Sequence, residues 1–116
     1  MTKVERGSFT VTGTGNKTLL LSDGTLNVQR VVFSVATNSG AEISEGYGDT
    51  SVNFTGTSAY NEVSSTVSIF HFRNLSGTKT KTLEGTLTTI STAGQFTVNF
   101  STLTEITQVK FVAYGS

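Results

Sequence analysis

The sequence predicts an all-β protein, a single antiparallel β-sandwich of jelly-roll-like type with about eight short strands spanning residues 1–116. Three observations carry that expectation. Apolar residues recur with a period of two, and Gly, Asn, Asp and Ser clusters interrupt them every 8–12 residues or so. No window holds the i, i+3, i+4, i+7 spacing of a helix beyond two turns. Roughly a third of the residues are Ser or Thr, and there are eight Phe and no Pro. Threonine is β-branched, so it suits a strand while keeping a hydroxyl in water.

The first strand is expected near Ser8 to Thr12, with Phe9 and Val11 turned inward. Thr14-Gly15-Asn16 reads as a turn, and Lys17 to Ser22 as a second strand in which Leu19 and Leu21 share a face. Val28 to Ala36 is the expected central strand, because Val31, Phe33 and Val35 lie on one face and Val32 and Ala36 on the other. Ile43 to Gly48 continues as a strand weakened by glycine, followed by Val52 and Phe54. Thr55 to Ser65 shows no periodicity and reads as the longest loop. Val67 to Phe72 is the next strand, and Leu75-Ser76-Gly77 a turn.

The last third is the least ambiguous. Leu83 to Ser116 reads as three consecutive strands, with Phe96, Val98 and Phe100 alternating against Gln95, Thr97 and Asn99. In the closing strand Val109, Phe111 and Ala113 point one way and Lys110, Val112 and Tyr114 the other.

Charge and composition narrow the function classes. Eight basic and eight acidic residues give a formal net charge of zero, without the basic stripe that nucleic-acid binding needs. Apolar runs such as Val31-Val32-Phe33 are far too short to span a bilayer, and Met1 to Arg6 lacks the apolar core of a secretory signal. Synthesis in the cytoplasm without a signal peptide is therefore expected, with neither nucleic acid nor membrane as a partner. The absence of Cys removes thiol catalysis and thiolate zinc sites.

No catalytic residue, cofactor site or metal site is expected. His71 is the sole histidine, so a His-based zinc site cannot form, and a hydrogen-bonded strand histidine is the better reading. Glu42, Glu45 and Asp49 are the densest acidic cluster, but alternation places Glu42 and Glu45 on opposite faces, which suits calcium poorly. Gly13-Thr14-Gly15 and Gly46-Tyr47-Gly48 precede no helix and cannot cradle a phosphate as helix N-termini do.

Two strands carry apolar groups on both faces. Phe70 and Phe72 oppose Ile69, and Val112 and Tyr114 oppose Phe111 and Ala113. Either the long loop covers these outer faces, or they are subunit contacts, since exposed aromatic patches on a soluble protein mark contact surfaces. Phe70, Phe72, Val112 and Tyr114 are accordingly the candidate contact residues. A glycan site would draw on exposed aromatics, for which Tyr47 and Tyr60 are the candidates beside Tyr114, with the Thr55 to Ser65 loop completing the site.

The order of segments resembles a family of small β-domains found among bacteriophage and prophage virion structural proteins. Its carriers are Gly7-Ser8-Phe9-Thr10, Leu19-Leu20-Leu21, Val31-Val32-Phe33, Glu45-Gly46-Tyr47-Gly48, Ala93 through Phe100, and Val109 through Gly115. The chain departs from that pattern at Val28-Gln29-Arg30, where a proline is common, and at Gln95, which separates Gly94 from Phe96. The closing strands are also similar to those of H-type lectin domains. The resemblance implies a virion protein, a capsid decoration (cement) subunit or small tail component. Its partners would be further copies of itself, a trimer among the options, and a major capsid or tail protein. The alternative it implies is a lectin-like module that binds a glycan or receptor.

Overall fold

The computed structural model describes the backbone of residues 2–37, 44–50, 54–57, 62–75 and 78–116, and the side chains of 2–35, 50, 67–72 and 80–116. Ten strands occur among them: β1 (Lys3–Val11), β2 (Gly15–Leu20), β3 (Val28–Thr37), β4 (Ser44–Asp49), β5 (Phe54–Thr57), β6 (Glu62–Val67), β7 (Ile69–Leu75), β8 (Thr78–Thr89), β9 (Gln95–Leu103) and β10 (Thr107–Gly115). The all-β antiparallel sandwich is the observed architecture. Its strand number exceeds the expected eight because Thr55 to Ser65, read as a loop, contains most of the β5–β6 hairpin. That hairpin is rich in Ser, Thr and Gly, so it carries no apolar alternation from which a strand could be read.

Eight strands form one sheet in the order β1-β10-β3-β4-β7-β8-β9-β2, and β5-β6 forms a second, two-stranded sheet. The large sheet folds over on itself. Phe33 of β3 meets Phe96 of β9 at 6.1 Å between ring centroids, and Phe111 of β10 meets the same ring at 5.2 Å. Four strands stand between β10 and β9 in the sheet order. Adjacent strands are about 4.8 Å apart, so only a bend that lays one half on the other brings these rings together. The jelly-roll character lies in the outer ribbon, where β1 pairs with β10 and β2 with β9. Between these pairs, β3-β4-β7-β8-β9 runs as an antiparallel meander.

The core lies between the two halves. Val11, Val31, Ile69, Leu83, Phe96, Val98, Phe100 and Val109 are each at most 1% exposed, and Phe9, Phe33 and Phe111 pack with them. Strand alternation selects these residues: β10 reads buried at Thr107, Val109, Phe111 and Ala113, and exposed or half-buried between them. The accessible surface of 6085 Å² is close to the roughly 6,100 Å² that size scaling gives for a compact 12.3 kDa chain. The chain thus closes its core without a partner.

One end of the sandwich is laced by the segment between β2 and β3. Leu21 N–H donates to the Gly94 carbonyl and Gly94 N–H to the Leu26 carbonyl, both at 2.8 Å, while Leu26 itself is 1% exposed. Asn27 and Ser116 exchange backbone hydrogen bonds of 2.9 and 3.2 Å, which ties this segment to the end of β10.

Candidate contact surface

Register decides which side chains share the outer face of the β1-β10-β3 layer. Arg6 stands opposite Val112, and Val112 opposite Val32. One step along, Val4 stands opposite Tyr114 and Tyr114 opposite Arg30; in the other direction Ser8, Lys110 and Ser34 align. Inward neighbours fill the core, so these residues must face out. Val112 and Tyr114 are half-buried, and Val4 is 48% exposed. The Arg30 guanidinium lies 5.9 Å from the centre of the Tyr114 ring, within cation–π range. A depression of about 280 Å³ opens here, lined by Arg6, Gly7, Val32, Ser34, Lys110, Phe111 and Val112.

Phe70 and Phe72 occupy a different patch. Their rings are 5.5 Å apart on β7, and β3 and β4 separate that strand from β10. At about 4.8 Å per strand, the two predicted contact pairs are roughly 14 Å apart. Phe70 is half-buried, but Phe72 is only 8% exposed. This corrects the reading of Phe72 as an exposed contact ring, because the chain's own fold covers it. The signal that misled is the alternation itself: it gives the side of the sheet, not whether a further layer of the same chain lies over it.

Of the glycan candidates, Tyr47 is described in backbone only, where it stands in register between Ser34 and Phe70. Tyr60 lies outside the described residues. So does Glu42, while Glu45 and Asp49 are described in backbone only. Among the described residues no three His, Asp or Glu side chains gather as a metal site.

His71 is fully buried. The Thr82 hydroxyl lies within hydrogen-bond distance of two His71 groups, 2.5 Å from ring Nδ1 and 3.2 Å from the backbone carbonyl, and the ring tautomer sets which way the Nδ1 bond runs. A β-bulge between His71 and Phe72 brings Thr82 into that position. Nearby, Lys81 and Glu84 form a 2.7 Å ion pair with little exposure. Sequence spacing could not have revealed the Thr82 contact, since the bulge shifts the register by one residue.

The opposite outer face, on β2-β9-β8, is neutral and hydroxyl-rich. Thr18 Oγ1 and Thr97 Oγ1 are 2.8 Å apart, and Asn99 Nδ2 donates to Asn16 Oδ1 at 2.9 Å. Among its described residues the most exposed large apolar group is Leu20, 78% exposed on the end strand β2. The two outer faces therefore differ in kind: one is apolar with cations, the other a ladder of Thr and Asn.

No family model, curated protein or solved structure matches the chain.

Proposed function

We propose that the protein is a bacteriophage virion structural protein, a capsid decoration subunit or small tail component that acts by many-copy assembly. Its place is the virion, reached after synthesis in the host cytoplasm. Its partners are further copies of itself and a major capsid or tail protein.

The observation that carries this reading is the outer face of β10. Val112 and Tyr114 remain partly open to solvent there beside the exposed Val4, in a chain that has already closed its core. An apolar patch framed by polar groups is the usual form of a protein contact surface. The resemblance of the segment order to virion β-domains supplies the setting.

The test is mass spectrometry of purified particles from cells expressing the surrounding gene cluster, together with sedimentation velocity of the isolated chain. The expected outcome is a stoichiometric component of the particle. A chain that is absent from particles and monomeric at high concentration would sink the proposal. Val112→Ser and Tyr114→Ser are expected to release it from the particle without lowering its own thermal midpoint much.

A further inference from the structure

Eight cationic side chains are present in the sequence, six of them described by the structure. Four of the six are engaged within the chain. Lys3 meets Asp23 at 3.7 Å and Thr25 at 3.0 Å, Lys17 lies 5.9 Å from the centre of the Phe9 ring, Arg30 lies over Tyr114, and Lys81 pairs with Glu84. The remaining two, Arg6 and Lys110, are exposed and have no ion-pair partner among the described residues. Both line the same depression, over Val32 and Val112.

We propose that this groove docks an acidic, aliphatic segment of a partner protein. The inference rests on the assembly reading above and names the chemistry of the partner. The one ring in the lining, Phe111, is 6% exposed and packs on Phe9 and Phe96, so the open floor is Val32 and Val112; it offers no ring face for stacking a sugar or a base, and its complement is another aliphatic side chain. Two unpaired cations beside it fit carboxylates that flank that side chain, and cations at a rim act mainly by steering and by excluding wrong partners.

Charge also disfavours a second copy. Face-to-face pairing of two such layers sets Arg6, Arg30 and Lys110 against themselves. Three of the four described carboxylates are committed elsewhere: Glu5 accepts backbone hydrogens from Ser22 and Asp23, Asp23 takes Lys3 and Thr25, and Glu84 takes Lys81, while the fourth, Glu105, is half-buried in the turn before β10.

The experiment uses the full chain, uniformly labelled with nitrogen-15, and a blocked peptide of sequence DELIDE as the probe. The peptide is expected to shift the amide resonances of Arg6, Val32, Lys110 and Val112 and to weaken at high salt. Combined Arg6→Glu and Lys110→Glu should reduce its affinity roughly tenfold, and Val112→Ser should reduce it at unchanged charge. The basic peptide KRLIRK should leave these resonances in place.

Three outcomes overturn the inference. Heparin fragments that shift the same amides while DELIDE does not would make the groove a polyanion site. Concentration-dependent shifts at these amides without any probe would make it a contact between copies. No shift with any probe would leave it unoccupied. Peptide docking by a chain absent from particles would remove the assembly reading and keep the groove. Particle incorporation that survives the double charge reversal, with no peptide docking, would do the reverse.

Discussion

Glu5 Oε1 accepts the backbone N–H of Asp23 at 2.9 Å, and its second oxygen accepts that of Ser22 at 2.8 Å. Glu5 belongs to β1 and the two amides to the segment that follows β2, which are the two end strands of the eight-stranded sheet. An end strand presents unpaired backbone groups, and an inward-pointing charge is one way to keep it from pairing with strangers. Here the carboxylate also does for the margin what a further strand would do, by accepting two hydrogen bonds across the gap.

Replacing that carboxylate tests the margin directly. Glu5→Ala strips two amides of their acceptor, and charge-assisted bonds of this kind contribute about 1–3 kcal/mol. The expected loss is in the middle of that range, because the site is only partly buried. Glu5→Gln, which keeps one acceptor oxygen, should fall between. Urea denaturation gives the answer, and an unchanged midpoint for Glu5→Ala would show that the margin is held by other contacts.

Asp23 makes the same corner sensitive to acid. The Thr25 hydroxyl, then the Thr25 backbone N–H, then Lys3 hold its carboxyl below the ordinary value of 3.8. A carboxyl depressed in the folded state stabilises fully above its unfolded value, and that contribution is lost as pH falls through the folded one. Wild-type protein should therefore lose stability relative to Asp23→Asn when pH is lowered from about 5 to below about 3. Parallel curves for the two proteins across that window would remove Asp23 from the acid response.

How far the sequence could be read depended on whether burial followed alternation. In β10 it did, and in β9 it did for the apolar residues: Phe96, Val98, Phe100, Val109 and Phe111 are buried as the period of two requires, although the outward Thr97, paired with Thr18, is buried as well. β3 was legible for the same reason, although its outer residue Val32 is half-buried and not fully covered. β5 and β6 were not legible, because Ser, Thr and Gly satisfy a hairpin through backbone bonds without any apolar pattern. The corner made by Glu5, Ser22 and Asp23 was also out of reach, since those contacts span 17 and 18 residues and depend on the sheet folding over. At the contact surface, β10 could be foreseen as two-faced. The pairing of Arg6 with Val112 required the β1–β10 register.

Two glycines are required by close approach and not by local turn preference alone. Gly94 has φ of +76°, and a methyl group there would lie 2.6 Å from the Gly24 Cα. At Gly115 a methyl would lie 1.9 Å from the Asn27 carbonyl oxygen, in the middle of the backbone exchange between Asn27 and Ser116. Backbone cannot swing aside as a long side chain can, so Gly94→Ala and Gly115→Ala should each cost about 2 kcal/mol or more. Gly13→Ala, where the added carbon meets nothing within 4 Å, is the matched control and should change stability little. Equal midpoints for all three variants would contradict the tight contacts between these segments.

Phe96 and Phe111 provide the sharpest test of the architecture itself. Their rings meet edge to face, 5.2 Å apart and 77° between planes, across the two halves of a single sheet. Phe96→Ala should cost about 3–5 kcal/mol, as for other large core rings. Because that loss alone shows only burial, the informative quantity is the coupling in a double-mutant cycle with Phe111→Leu and Phe96→Leu. Aromatic pairs in contact couple by about 0.5–1.5 kcal/mol, whereas sites more than about 7–10 Å apart add independently. In an unfolded-out sheet four strands would lie between these residues, and the coupling would vanish. A nonzero coupling is expected, and its absence would mean that β9 and β10 do not face one another across the core.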